Sequence, residues 1–482
     1  MKLSFLLAFA SSLAVLPMSA QGFHAIDKDF VNLKGYPAVH RDINKAPTRM
    51  QRISADDLRA REGQDFPIDT IQYVGPSGIN FVLMGDGFKS TQYAVFTKYA
   101  NSCIEHMFSQ VPFADYRDWF NIYYIKVDSR ESGISHPGYP SGTCPEGSSL
   151  KISNYDTYFG VYFDAYGIHR LMCFDGNKPY ELLDALIPDY DIAGILGNSK
   201  EYGGSGGDIL IASVNSESNE IFVHELGHTF AKLNDEYYAG DVYLYESSNT
   251  SKYYTEETSP WRAWWGQEGV KAFKIGGSTL GNKFYKPVNG TCKMEYLGKN
   301  FCAVCREALV KKIHNKVNQI CVVDPAESLV KPYADATTAV FRLEDICEVP
   351  GYTDITWILD DQTLGASERE LTLDISDFKE GEKHKLTVLV SDLTPYLKQT
   401  PISSFEWTIE KSGVVGIEIT RGQQPTIIGE EGGITITSPD YEQFIIYGAD
   451  GRRITSRHIV GSETISLPRG TYIVRNRKVM VN

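Results

Sequence analysis

Residues 221–237 read IFVHELGHTFAKLNDEY, and this stretch restricts the fold more than any other in the chain. Histidines four residues apart lie on one helix face, one turn from each other. Imidazoles on a buried face are costly unless something uses their lone pairs. The spacing predicts a helix in which Ile221, Phe222, Leu226, Phe230 and Leu233 form the buried side. Ser216 or Ser218 is its candidate cap, and Gly227 leaves room for a close neighbour. His224 and His228 can then hold one Zn²⁺, each nitrogen at about 2.0–2.1 Å. Glu225 stands beside the first histidine, near the metal but not bound to it. That is the place of a general base acting on a metal-bound water.

A catalytic zinc needs a third protein ligand and an open position. Asp235 comes seven residues after His228. On a continuous helix it would face the same way but lie roughly 10 Å further along the axis. For Asp235 to be the third ligand, the helix must end after His228 and the chain must fold back. Glu236 is the rival for that role.

The N-terminus, MKLSFLLAFASSLAVLPMSA, has one lysine, an apolar run and small residues up to Ala20. This is a secretory signal pattern over residues 1–20, with cleavage expected after Ala20. No cysteine follows the run, so a lipid anchor is not expected there, and the run is short for a membrane span. No later stretch approaches a transmembrane length. The net charge of −14 argues against nucleic acid and against an anionic membrane as partners. Eight cysteines in an exported chain favour disulfides. For Cys302 and Cys305, which form a CxxC, a structural metal is the alternative.

The length suggests about three domains. Residues 21–75 are polar and without period, and read as an N-terminal extension or pro-segment. From 76 to 324, strands such as INFVLMGDGF, NIYYIKVDS, DIAGILGN and DILIASV alternate with helical stretches, which predicts an α/β or α+β domain. From 325 to 412 the pattern changes to short alternating strands (TDITWILDD, HKLTVLVSD, SSFEWTIE), which predicts an all-β sandwich of immunoglobulin-like type. Residues 413–482 form a small β-domain, with a hairpin expected at Ala449-Asp450-Gly451.

HELGHTFAKLNDEY resembles the motif of the IgA-peptidase family of bacterial zinc metallopeptidases. FVLMGDGF, VPFADYRDWFNIYYI, DSRESGIS, YGGSGG and CKMEYLGKNFCAVC match in order, so the resemblance spans about residues 76–322. It implies a metzincin-like zinc peptidase domain, with the third ligand beyond the helix. It also makes Met294 the candidate for an apolar methionine turn beneath the metal, and Cys292, Cys302 and Cys305 candidates for fixing that turn covalently. DILIASV resembles the edge strand that borders the cleft in such enzymes. Many members have glycine where this chain has Lys232, at the point where the helix must end. IYGADGRRI, SLPRGTYIV and the final KVMVN resemble C-terminal sorting domains of Bacteroidetes-type bacteria. That implies secretion or display on the outer surface, with attachment through the C-terminal domain.

Together these readings lead to the expectation of a secreted zinc endopeptidase acting on protein or peptide substrates. His224, His228 and Asp235 are its metal ligands and Glu225 its base. The alternative is a surface binding or adhesion protein whose peptidase-like domain is inactive.

Overall fold

In the computed structural model, Ser54 opens the first helix among the described residues, α1 (Ala55–Glu62). Its hydroxyl accepts the Asp57 N–H at 3.1 Å, and left-handed Gly63 closes the other end. The structure describes residues 53–138, 152–165, 168–238, 240–412, 425–430, 432–448, 453–475 and 477–481. The signal segment, residues 21–52 of the extension, Cys144 and the Ala449-Asp450-Gly451 turn lie outside the described residues.

The chain divides into two units. The described part of the first is residues 53–71, Ile79–Asn315 and Pro395–Lys398, and the second takes the rest. The first unit is built on a six-stranded sheet. Its strands are β1 (Ile68–Gln72), β2 (Ile79–Asp86), β3 (Phe120–Ile125), β4 (Ile192–Gly197), β5 (Gly204–Ser205) and β6 (Ile209–Ser213), in the order β1-β3-β2-β4-β6-β5. The four inner strands are parallel, with Phe81 opposite both Ile122 and Ile192, and Ile195 opposite Ile211. Strands β3, β4 and β6 are buried at every residue. Continuous apolar runs such as FNIYYI are what a parallel sheet covered on both faces demands. Residues 68–72, which the sequence placed in the extension, form the edge strand next to β3.

DILIASV is not the edge strand the resemblance implied. β6 is paired on both sides, and the edge is two-residue β5, drawn from the glycine-rich YGGSGG segment and antiparallel to β6. A short edge strand leaves few unpaired backbone groups to template another chain, and two-residue β5 is such an edge.

Helix α2 (Tyr93–Phe108) and α3 (Lys178–Leu186) follow β2 and precede β4. Helix α4 (Ser218–Ala231) packs on α2, on β6 and β5, and on α5 (Ala303–His314). Asp86 ends β2 fully buried, and its carboxylate ties the sheet to the next layer. It accepts the Thr157 hydroxyl and the Val161 N–H, each at 2.8 Å, and the Phe159 N–H at 2.9 Å. Gly87 beside it has φ +71°, and a β-carbon there would sit 2.1 Å from the Gly133 carbonyl oxygen. The Gly-Asp-Gly sequence thus serves a turn that only glycine fits.

The described elements of the second unit are all strands. A three-stranded sheet containing β7 (Thr338–Ile346) and a five-stranded sheet containing β8 (Thr353–Leu359), β9 (Lys383–Asp392) and β10 (Ile402–Glu410) share one core around Trp357, Trp407 and Phe341. In β9, Leu386, Val388 and Val390 alternate with more exposed residues, the period a half-covered strand requires. A further sheet, built around the long pair β11 (Gly433–Gly448) and β12 (Arg453–Ser466), has its own core with Ile434, Phe444 and Val474. Among the described residues, no helix is long and apolar enough to cross a membrane.

No two of the seven described cysteines stand at disulfide distance. The disulfides expected from the even count are therefore not formed among them. Cys321 and Cys347 approach to 3.6 Å, and Cys292 and Cys305 to 3.7 Å.

Candidate active site

The HELGH stretch is helical, as its spacing requires. The expected serine cap is not used. Glu217 occupies the cap position without a side-chain cap bond, and Ser218 instead donates to the carbonyls of Ser213 and Asn215. The helix stops at Ala231 because Lys232 is left-handed, with φ 53° and ψ 35°. Its N–H reaches back to the His228 carbonyl at 3.1 Å, and the Leu233 N–H reaches Gly227 at 3.2 Å. The lysine carries out a reversal that glycine makes without strain, at about 1–2 kcal/mol of backbone strain.

That reversal brings Asp235 back over the helix. One oxygen, Oδ1, lies 3.2 Å from His224 Nε2 and 3.3 Å from His228 Nε2, and the two Nε2 atoms are 3.0 Å apart. Both imidazoles have their other nitrogen committed. Nδ1 of His224 donates to the Lys293 carbonyl at 3.0 Å, and Nδ1 of His228 donates to the Leu233 carbonyl at 2.7 Å. A carbonyl can only accept, so the protons of the neutral rings sit on Nδ1 and both Nε2 lone pairs point inward. Neither oxygen of Asp235 accepts a hydrogen bond, although the residue is 2 % exposed.

Three acceptors facing one another in a buried pocket repel unless a cation lies between them. Around a tetrahedral ion with bonds of about 2.0–2.1 Å, donor atoms are spaced about 3.3 Å apart. The observed triangle has nearly that size. The donor set, two imidazoles and one carboxylate, also fits zinc. A proton on Nε2 does the same service where no ion lies between them: burial works against a charged Asp235, but protonated imidazoles beside it hold its carboxyl well below the usual range. Burial likewise opposes a charged His228, and Asp235 outweighs it, so that imidazole is shifted upward, and a bound cation displaces that proton.

Glu225 is fully buried, and ligand atoms of His224, Glu225 and His228 lie within 4.8 Å of one another. His224, Glu225, His228 and Asp235 thus converge. Glu236 does not join them, because its carboxylate turns to Asn249 and Cys305. Met294 is fully buried against α4. A β-carbon on Gly227 would come within 3.0 Å of its sulfur, so Gly227 lets the methionine turn close on the helix. The Met294 carbonyl accepts the Glu236 N–H at 2.8 Å. One turn therefore orients His224 through Lys293 and anchors the returning chain through Met294.

Two contributions escape sequence reasoning. The carbonyls of Lys293 and Leu233 set the ring orientations, and any residue could supply them. Arg170 lies within electrostatic reach of Asp235 and Glu225, where burial pulls its pKa below the ordinary value. A lone arginine in HRLMCF gives no sign of this.

A histidine-rich helix on a largely parallel sheet, with a carboxylate folded back over it, defines a candidate metallopeptidase centre. Residues 71–266 match the model of the peptidase family described as IgA Peptidase M64. No curated protein matches the chain. Similar solved structures include the N-terminal eight Ig domains of Down Syndrome Cell Adhesion Molecule, at 15% identity over 33% of this chain and 26% of that one, TM-score 0.14. The chicken CNTN1 FN1-FN3 domains match at 8% identity over 32% and 60%, TM-score 0.13. The YadV chaperone matches at 13% identity over 32% and 92%, TM-score 0.14. The chain thus spans less than two thirds of the first two.

Proposed function

We propose that the protein is a secreted, zinc-dependent endopeptidase of metzincin-like type, with an immunoglobulin-like sandwich and a sorting-type β-domain following the catalytic unit. The observation that carries this reading is the Nε2, Nε2, Oδ1 triangle, with sides of 3.0, 3.2 and 3.3 Å, in which both imidazoles have Nδ1 committed to carbonyls. His224, His228 and Asp235 hold the metal. When bound, zinc supplies Lewis acidity, polarising the scissile carbonyl and making a water acidic enough to attack it. Glu225 takes the proton from the attacking water and passes it to the leaving amine. Its neighbour His224 is fixed by Lys293, so the helix presents base and ligand in constant register. Burial of the group strengthens each of these electrostatic interactions. Arg170 adds positive charge on the side of Asp235 and Glu225.

The signal pattern and the tail support export to the outer surface or medium of a Gram-negative, Bacteroidetes-type bacterium. The deciding experiment is zinc analysis of the purified mature chain, with cleavage of an unfolded protein mixture before and after EDTA. Stoichiometric zinc and EDTA-sensitive cleavage, with cut sites mapped by mass spectrometry, support the peptidase. Zinc-loaded protein that cuts nothing would favour the surface-binding alternative.

A further inference from the structure

Behind the catalytic triangle, four other buried groups converge. They are Glu236, Cys292, Cys302 and Cys305, whose ligand atoms all lie within 4.8 Å of one another. Cys302 is the N-cap of α5 and Cys305 lies one turn on, so their side chains share a face. Cys292 comes from the turn that carries Lys293 and Met294, and Glu236 follows Asp235. Glu236, Cys292 and Cys305 are completely buried, and Cys302 is 7 % exposed.

The distances have the scale of a coordination sphere. Sγ of Cys292 and Sγ of Cys305 are 3.7 Å apart. Oε1 of Glu236 lies 3.2 Å from the Cys305 sulfur and 4.0 Å from the Cys302 sulfur. A tetrahedral zinc with Zn–S of about 2.3 Å and Zn–O of about 2.0 Å spaces sulfurs about 3.8 Å apart and sulfur from oxygen about 3.5 Å apart. A disulfide needs about 2.05 Å, and one disulfide would leave the third thiol and the carboxylate buried without a common partner.

Two further observations point to a ligand. Oε2 of Glu236 is buried and has no hydrogen-bond partner, which is costly for an acceptor that a cation would satisfy. The Cys292 sulfur receives two backbone N–H groups, from Cys302 at 3.4 Å and Met294 at 3.5 Å. Amides aimed at a sulfur stabilise a thiolate, the form that binds metal.

We infer that Glu236, Cys292, Cys302 and Cys305 form a second, structural zinc site, distinct from the catalytic one. On binding, the three thiols release their protons to solvent and the ion takes three sulfurs and one carboxylate oxygen, a closed four-coordinate sphere. Consecutive residues then serve two ions, Asp235 the first and Glu236 the second. The second ion joins the start of α5, the Met294 turn and the chain returning from α4, which are the pieces that hold the catalytic ligands in place. The inference does not depend on peptidase activity.

The test measures metal per chain in the purified full-length protein. Two zinc ions are expected, with one remaining in the His224→Ala/His228→Ala variant. Cobalt replacing that remaining ion gives a sulfur-to-cobalt charge-transfer absorption. Cys302→Ser lowers the wild-type content from two to one. Because that variant can fail to fold, a second arm alkylates the denatured, chelated, unreduced wild-type chain and finds Cys292, Cys302 and Cys305 all free. One zinc in the wild type with none in the double-histidine variant overturns the inference, as does a disulfide among the three cysteines. Either result leaves the catalytic reading intact. Conversely, two zinc ions in a chain that cleaves nothing would leave this site standing and remove the peptidase.

Discussion

Asp235 and Glu236 are adjacent in the chain, yet their carboxylates serve different clusters. Asp235 Oδ1 stands 3.2 Å from His224 Nε2, and Glu236 Oε1 stands 3.2 Å from the Cys305 sulfur. The left-handed turn at Lys232 makes this division possible. It ends the helix early enough for Asp235 to return to the histidines, while the next side chain enters the layer beneath.

The first prediction follows from that division. Asp235→Ala removes a ligand from the triangle, so its zinc affinity at the His224/His228 site falls about 10-fold or more, with activity falling at least as far. Glu236→Gln leaves that triangle complete. Competition with a chromogenic chelator, run on both variants, checks it. Loss of the catalytic ion from the Glu236 variant alone would reverse the assignment.

Glu225→Gln keeps the shape of the side chain and removes its basicity. Zinc content should be unchanged, with kcat lower by about 10²–10⁴-fold. Metal analysis and peptide turnover on the same preparation decide the matter, and a variant with undiminished turnover would remove Glu225 as the base.

Gly227→Ala tests the packing of the methionine turn. In an open helix this change stabilises by about 1 kcal/mol. Here the new β-carbon would meet the Met294 sulfur at 3.0 Å and Phe301 at 3.2 Å. Overpacking of this kind costs about 1–3 kcal/mol, so the thermal midpoint should fall. A rise would mean that the turn yields freely.

Lys232→Gly should stabilise by up to about 1 kcal/mol, because glycine adopts the left-handed turn without strain. The ion pair lost with it, from Lys232 to Asp208 at 3.3 Å, lies at an exposed position and contributes little. Thermal unfolding with zinc at a fixed excess measures the change, and a lowered midpoint would contradict it.

A pH dependence is expected at His169. Its Nδ1 donates to Asp164 Oδ1 at 2.8 Å, and this bond raises the imidazole pKa above its ordinary value against the opposing effect of burial. A raised folded-state pKa stabilises fully below the unfolded value of about 6.5, and the contribution is lost as pH rises through the folded value. The difference in thermal midpoint between wild type and His169→Ala should therefore be largest in mild acid and shrink on the alkaline side. A constant gap across that range would show that the interaction is not charge-linked.

The sequence by itself determined the elements whose information is local. HELGH required a helix with two imidazoles on one face. The runs INFVLMGDGF and NIYYIKVDS required buried strands, and the alternation in HKLTVLVSD required a half-covered one. It also showed that any role for Asp235 demanded a break after His228. Tertiary structure alone decided the rest, because each remaining feature joins residues far apart in the chain or depends on backbone atoms that every residue shares. The ring orientations come from the carbonyls of Lys293 and Leu233, which no side-chain pattern announces. The edge position went to Gly204–Ser205 rather than DILIASV, since strand order is a property of the whole sheet. One left-handed lysine directs the successive carboxylates of Asp235 and Glu236 to different partners. The cysteines, which composition suggested would pair, stand instead with Glu236 at coordination spacing, because α5 and the Met294 turn meet there only in the folded protein.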